Sequence, residues 1–212
     1  MSTIFITSKQ ARDPHTGSLK KVALTFDDGP NPPYTNQILD ILNKEDIKAT
    51  FFVCGANIKR HPETIVRIAK EGHLVGNHTY NHRYVLTRLG LIYKETLETQ
   101  KLIEELTDQK EKLFRSPWLL APFWLNNRLR NDGFKIFGGV WGNDWETKIT
   151  PQKIADRIVS QVKNGSIIIL HDGQETKAGA DRSKTVEALS KIITELKNQD
   201  YQFVSPPIQT IG

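Results

Sequence analysis

The sequence is nearly devoid of sulfur chemistry. Cys54 is the one cysteine among 212 residues, so no intrachain disulfide exists and a disulfide-stapled scaffold is excluded. No C-x-x-C pair is present to hold zinc through thiolates. Cys54 follows the apolar run Thr50-Phe51-Phe52-Val53, which marks it as a buried, inert thiol. No stretch approaches the roughly 20 apolar residues that a membrane helix needs, so no integral membrane segment is expected. Residues 1–9 lack a basic start followed by a long apolar stretch, so no export signal is evident. The compartment stays open: cytoplasmic as the chain stands, extracellular if a leader has been trimmed. Lys and Arg number 29 against 24 Asp and Glu, a net charge of +5, and the excess is scattered without a run. A nucleic-acid partner therefore finds no basic stripe to support it. Low-complexity tracts, linkers and internal repeats are missing too, which leaves a single domain over 1–212 with its motif-bearing core at about 20–205.

What is present is an ordinary globular composition, 38% hydrophobic and 25% charged, enough to build a core. Apolar runs alternate with stretches of helical spacing. Strands are predicted at 22–26, 49–53, 73–76, 112–115, 135–140, 166–170 and 201–204. Helices are predicted at 36–44, 62–71, 87–106, 125–131, 152–163 and 181–196. Continuously apolar strands such as Ile167-Ile168-Ile169-Leu170 suit a parallel sheet covered on both faces. The alternation argues for an α/β fold of about seven strands, either an incomplete barrel or a doubly wound open sheet.

In such folds, sites form at the C-terminal ends of the strands. Asp27-Asp28-Gly29-Pro30 follows the first predicted strand and His78-Thr79-Tyr80-Asn81-His82 the third. Arg115-Ser116-Pro117-Trp118 follows the fourth, Asp144-Trp145 the fifth and His171-Asp172 the sixth. His78 and His82 are spaced so that one helical turn would set both imidazoles on one side. Two histidines and one carboxylate make a common zinc set, with Asp28 the natural third ligand. Asp27, its neighbour, is then free to act as a general base on water. Asp-Asp-Gly-Pro is also a good turn, which accounts for Gly29 and Pro30 but not for two adjacent like charges beside a histidine pair.

His171 is either a hydrogen-bonded core histidine or a general acid, since imidazole titrates near neutrality. Asp144 is either a turn-capping carboxylate or the group that holds the imidazolium. Arg115 either pairs with a sheet-edge carboxylate or holds Asp27 ionised. All four tryptophans lie between 118 and 145. Core packing is the expectation for Trp141, whereas Trp118 and Trp145 are candidates for the cleft. His15, His61 and His73 read as structural or surface residues.

These motifs resemble those of the polysaccharide deacetylases, the NodB-homology enzymes of carbohydrate esterase family 4. Thr25-Phe26-Asp27-Asp28-Gly29-Pro30 and His78-Thr79-Tyr80-Asn81-His82 are similar to the first two signatures, and together they are highly specific. Arg115–Trp118, Asp144-Trp145 and Ile169-Leu170-His171 are similar to the remaining three, in family order. The resemblance implies a distorted (β/α) barrel of about seven parallel strands. It implies a divalent metal, usually zinc, on Asp28, His78 and His82, with Co2+, Ni2+ and Mn2+ also compatible with those ligands. It implies Asp27 as base, His171 as acid, Arg115 orienting Asp27 and Asp144 supporting His171. The Trp118 N–H would join the oxyanion hole, and Trp145 and Ile169 would line the acetyl pocket.

Leu119 stands where the family often has glycine, Ile169 replaces the usual leucine, and the segment before Asp144 is short. The apolar segment Leu119-Leu120-Ala121-Pro122-Phe123-Trp124 is also unusual for the family. The implied reaction is removal of N-acetyl groups from N-acetylglucosamine units of a glycan, chitin-like or peptidoglycan. Its rivals are an O-acetyl esterase or an amidase on the same scaffold, and a carbohydrate-binding protein with an inactive site.

Overall fold

The computed structural model describes residues 20–206, so His15 and the N-terminal nine residues lie outside the described residues. Eight strands form one sheet: β1 (Lys20–Asp27), β2 (Thr50–Val53), β3 (Leu74–Asn77), β4 (Leu113–Phe114), β5 (Lys135–Ile136), β6 (Val140–Trp141), β7 (Ser166–His171) and β8 (Tyr201–Phe203). All pairings are parallel, in the order β5-β4-β3-β2-β1-β7-β6. β1 is the axis of the sheet. It pairs with β7 along Val22–Asp27, with β8 at its start and with β2 at its end.

The two ends of this path are β5 and β6, joined only by Phe137, Gly138 and Gly139. So short a link forces the two edges together, and the sheet curls into an incomplete barrel instead of lying open. The predicted strand 135–140 is thus two strands on opposite edges. Phe137 N–H still bonds back to Phe114 on β4, and Val140 has already crossed to pair with Ile168 on β7. Gly139 has no room for a side chain, since a Cβ there would lie 2.5 Å from the Ile167 carbonyl oxygen.

Strand side chains alternate between two environments. Val22, Leu24, Phe26, Phe51, Val53, Ile168 and Leu170 pack in one buried cluster with Ile38, Leu39 and Leu42 of α1 (Tyr34–Lys44) and Ile65 and Ile68 of α3 (Pro62–Lys70). Ile154 and Ile158 of α7 (Pro151–Gln161) and Leu189, Ile192, Ile193 and Leu196 of α8 (Ser183–Asn198) complete that cluster. The intervening residues, Thr25, Asp27 and Ile169 among them, turn to the barrel interior. Two buried faces explain why β7 reads as an unbroken apolar run.

The remaining helices depart from the expected pattern in two places. Residues 87–106 do not form one helix. A short α4 (Tyr84–Arg88) ends at Gly90, and α5 (Tyr93–Thr107) starts afresh. Gly90 has a left-handed φ of 71°, and a Cβ there would lie 2.4 Å from the Trp124 ring, so the chain bends where only glycine fits. A further helix between β2 and α3, α2 (Gly55–Arg60), has too few apolar positions to show helical spacing. α6 (Phe123–Asn131) closes a second small cluster of Ile92, Phe114, Leu125, Leu129 and Phe134.

Ile168 is fully buried at the centre of the larger cluster. Ile168→Ala should lower the unfolding free energy by about 2–5 kcal/mol in a urea titration, leaving a cavity in a close-packed interior.

Candidate active site

Strand ends set the site. Asp27 closes β1 directly opposite His171, the last residue of β7. The next residue, Asp28, is held in a left-handed turn (φ 76°) by its N–H to the Phe52 carbonyl. Gly29 is obligatory there, because a Cβ would fall 2.0 Å from the Asp172 carboxylate. The turn points Asp28 Oδ1 at two imidazoles, 3.2 Å from His82 Nε2 and 3.5 Å from His78 Nε2.

The loop that carries the histidines is not helical. Thr79 and His82 both take left-handed φ values, 67° and 52°. Asn77 Oδ1 accepts the Thr79 N–H and the Thr79 hydroxyl accepts the His82 N–H, while Asn81 is fixed by the Glu95 carboxylate. The imidazoles meet as expected, with ring centroids 4.9 Å apart, but through a tight left-handed loop in place of a helical turn.

Asp28, His78 and His82 are all buried, with ligand atoms within 4.8 Å of one another. Among the described residues, Asp28 Oδ1 and His82 Nδ1 find no hydrogen-bond partner although both are buried. An orphaned carboxylate oxygen facing two ring nitrogens is costly unless something positive sits between them. Two imidazole nitrogens and one carboxylate oxygen form a donor set that fits a divalent cation. Burial holds His78 down to about 4, with its Nδ1 against the Arg115 carbonyl at 2.7 Å, so its ring is neutral near neutral pH. Burial would raise Asp28, yet His82, His78 and His171 together with the Glu175 N–H bring it to about 2. The pair of states required of metal ligands, ionised carboxylate and neutral imidazole, is therefore in place.

Arg115 is fully buried in the barrel interior. Its Nη1 donates to Asp27 Oδ1 and to the Thr25 hydroxyl, each at 2.7 Å, and its Nη2 donates to the Gly138 carbonyl. The guanidinium lies 4.1 Å over the Phe52 ring. Asp27 Oδ2 remains in the cleft, 3.9 Å from His78 Nε2.

His171 sits on the same rim with Asp144. Asp144 Oδ1 is 2.7 Å from His171 Nδ1, and Oδ2 accepts both the His171 N–H and the Thr185 hydroxyl. Burial would strip the imidazole of its proton, but Asp144, aided by Asp28 and Asp27, lifts it to about 9. Burial likewise works to raise Asp144, and His171 with the Thr185 hydroxyl draws it below the usual carboxylate range. The short segment before Asp144 is thus no obstacle to its reaching His171.

Asp27, Asp28, His78, His82 and His171 line a cleft of about 220 Å³ together with Trp118, Trp145, Ile169 and Arg182, with Arg115 and Asp144 buried behind it. Trp118 and Leu119 both take left-handed φ values, 52° and 55°, in a single 3-10 turn over Pro117–Leu119. The Trp118 N–H falls too early in that turn for an intrahelical acceptor. Leucine at the second of these positions bears the strain that glycine would avoid. The Trp118 ring packs 4.3 Å from that of His82, and Trp145 stands edge-on to His171 at 5.2 Å. Trp141, expected in the core, instead lines the cleft edge-on to Trp145, because β6 is an edge strand with one face open. His73 is a core histidine that accepts the Ala49 N–H, and His61 lies at the α2–α3 junction near Glu63. Cys54 is buried against the His78 carbonyl, and burial raises its thiol well above the usual value.

The motifs assign no role to several supporting residues. Asn57 bonds the carbonyls of Asp28 and Glu175, and Arg182 Nε bonds that of Gly173. Asp172 is buried under the Asp28 turn with Thr35 on its Oδ2, and burial pushes its carboxyl up to about 7. Thr185 and Asn57 lie inside helices with nothing in their spacing to set them apart.

A family model described as polysaccharide deacetylase matches residues 15–137. The chain belongs to the polysaccharide deacetylases of carbohydrate esterase family 4. It is 37% identical over 197 residues to a peptidoglycan-N-acetylglucosamine deacetylase of Bacillus cereus, covering 88% of this chain and 86% of the relative. It is 33% identical to a chitooligosaccharide deacetylase of Rhizobium leguminosarum bv. trifolii, covering 89% of this chain and 91% of that one. The solved peptidoglycan deacetylase PdaC of Bacillus subtilis superposes with a TM-score of 0.77 at 36% identity, covering 89% of this chain and 88% of the solved one. The family model ends at residue 137, before Asp144 and His171.

Removing the Arg115 guanidinium strands the buried Asp27 carboxylate. Arg115→Met should cost about 3–5 kcal/mol of stability in chemical denaturation.

Proposed function

We propose that this polysaccharide deacetylase hydrolyses the acetamido group of N-acetylhexosamine units in a glycan, of the chitin or peptidoglycan type. The products are acetate and a free amine. The observation that carries this reading is the meeting of two differently poised groups in one cleft beside the Asp28–His78–His82 cluster. Asp27 offers a carboxylate oxygen, and His171 carries a proton near neutral pH.

Asp28, His78 and His82 would hold the divalent cation, and two imidazoles with one carboxylate favour zinc. A cation bound there supplies Lewis-acid polarisation and makes water a better nucleophile. Asp27 Oδ2 takes the proton from the attacking water, while Arg115 fixes the other carboxylate oxygen and so the direction of attack. The Trp118 N–H donates to the carbonyl oxygen as negative charge grows on it. His171 then gives its proton to the departing nitrogen as the C–N bond breaks, and Asp144 holds the imidazolium until that moment. Ile169 and Trp145 enclose the acetyl methyl and keep water off it.

Acetate release from N-acetylglucosamine oligomers tests the reaction. Zinc-loaded protein should release acetate, and chelation should abolish the release until zinc is restored. Absence of release from protein shown to hold one zinc would overturn the reading in favour of ester or small-amide hydrolysis. Asp27→Asn should lower kcat by at least about 100-fold while zinc uptake stays stoichiometric, as expected for loss of a general base.

The acid must be protonated, so the rate should fall as pH rises through the His171 pKa. That value is about 9 from the surrounding carboxylates, and any cation in the cleft draws it lower. Asp144→Asn removes the anion that retains the proton. The alkaline limb of the pH–kcat profile should therefore move towards neutral pH.

A further inference from the structure

Two guanidinium groups are buried at the cleft, and their surroundings differ. Arg115 commits its terminal nitrogens to Asp27, Thr25 and the Gly138 carbonyl. Arg182, just ahead of α8, is 6% exposed and lines the cleft itself. Its Nε donates to the Gly173 carbonyl, which anchors it to the loop that carries His171. Among the described residues its Nη1 and Nη2 find no acceptor, and it forms no ion pair with an Asp or Glu. The neighbouring carboxylates are engaged elsewhere: Asp181 with the Ser183 N–H and Tyr34, Asp172 with Thr35, and Asp144 with His171 and Thr185. Glu175, also on the cleft wall, is exposed and forms no ion pair with it. So deeply buried a cation without a counter-charge is unfavourable unless an anion comes to meet it. The free edge of a guanidinium presents parallel N–H groups that match the two oxygens of a carboxylate.

We propose that Arg182 is a carboxylate-binding group inside the cleft, separate from the Asp28–His78–His82 cluster, and that it selects hexosamine units bearing an acidic substituent. The proposal rests on the reading of the cleft as the deacetylation site. A cleft of about 220 Å³ has room for little more than one sugar ring. A carboxylate that meets Arg182 while an acetamido group lies by His171 is therefore carried by the same ring, as in a hexosamine with a lactyl ether beside its acetamido group. Released acetate has the same pair of oxygens and is the other source of this chemistry. A neutral N-acetylhexosamine offers no charge, and Arg182 stays unpaired beside it. Arg115 does not compete for the anion, since it is fully buried and already paired with Asp27.

N-Acetylmuramic acid and its methyl ester differ by one charge at nearly equal size and form the test pair. Calorimetry on zinc-loaded Asp27→Asn protein reads their binding without turnover, and acetate release by the wild type is followed in parallel. The acid should bind about tenfold more tightly than the ester, as expected of a charge-assisted bidentate pair. Adding Arg182→Gln should bring the two ligands to equal affinity. Arg182→Lys, which keeps the charge and loses the fork, should retain part of the preference. The acid-to-ester ratio is the readout, because a loosened Gly173 contact affects both ligands alike. Inhibition of turnover by acetate separates the two sources. Equal affinity for acid and ester, with acetate inhibition about tenfold weaker in Arg182→Gln, would assign the site to the product and overturn selection by the ring. Equal affinity with acetate inhibition untouched by Arg182→Gln would overturn the site altogether, as would an acid preference that survives Arg182→Gln. Arg182-dependent binding of the acid by protein that releases no acetate would sink the hydrolase reading and leave the carboxylate site standing. Acetate release with Arg182-independent binding would do the reverse.

Discussion

A positive charge with no access to water sits at the centre of this molecule. The Arg115 guanidinium ties the end of β1 to the β5–β6 joint through Asp27, Thr25 and the Gly138 carbonyl. Its own carbonyl fixes the His78 ring. One residue therefore orients the proposed base and one proposed metal ligand from the same buried point. Isolated burial of a guanidinium costs several kcal/mol, and the Asp27 pair, the polar partners and the Phe52 face offset that cost. The site and the barrel are stabilised by the same contacts, so neither can be loosened without the other.

A second pair repeats this logic on the other side of the cleft. Asp144 has no freedom left: both its oxygens are taken, by His171 twice and by Thr185. The imidazole is thereby held charged in a buried setting that would otherwise neutralise it. Two carboxylates, Asp27 and Asp144, are set in different surroundings by their partners, a guanidinium for one and an imidazole for the other.

Much of this was legible in the residue order because strand ends are punctuated. Asp27-Asp28-Gly29, His78 to His82 and His171 each follow an apolar run, and a parallel sheet brings such points to one end. Local geometry was less legible. The histidine spacing suggested a helical turn, but Asn77, Thr79 and Glu95 hold a left-handed loop that delivers the same juxtaposition. The break at Gly90 depends on Trp124, a residue distant in sequence, and the split of residues 135–140 depends on where β7 lies. Core packing is the expectation for Trp141 because, unlike Trp118 and Trp145, it lies outside the polar clusters at the strand ends. An edge strand at an incomplete barrel leaves one face uncovered. Contacts that form only on folding, such as Thr185 with Asp144, leave no periodic mark on the chain.

The central place of β1 has a consequence for how the chain comes together. Its neighbours are β2, available early, and β7 and β8, which are made only after residue 166. Until then β1 presents a long, apolar, unpaired edge, and the Asp27 side of the cleft has no opposing wall. During synthesis the N-terminal half is a sheet with an open seam, of the kind that recruits foreign strands. Closure waits on contacts of high sequence separation, which are slow to form. The arrival of β7 thus seals the aggregation-prone edge and brings His171 opposite Asp27 in one event, so that the cleft is assembled only in a chain that has already protected itself.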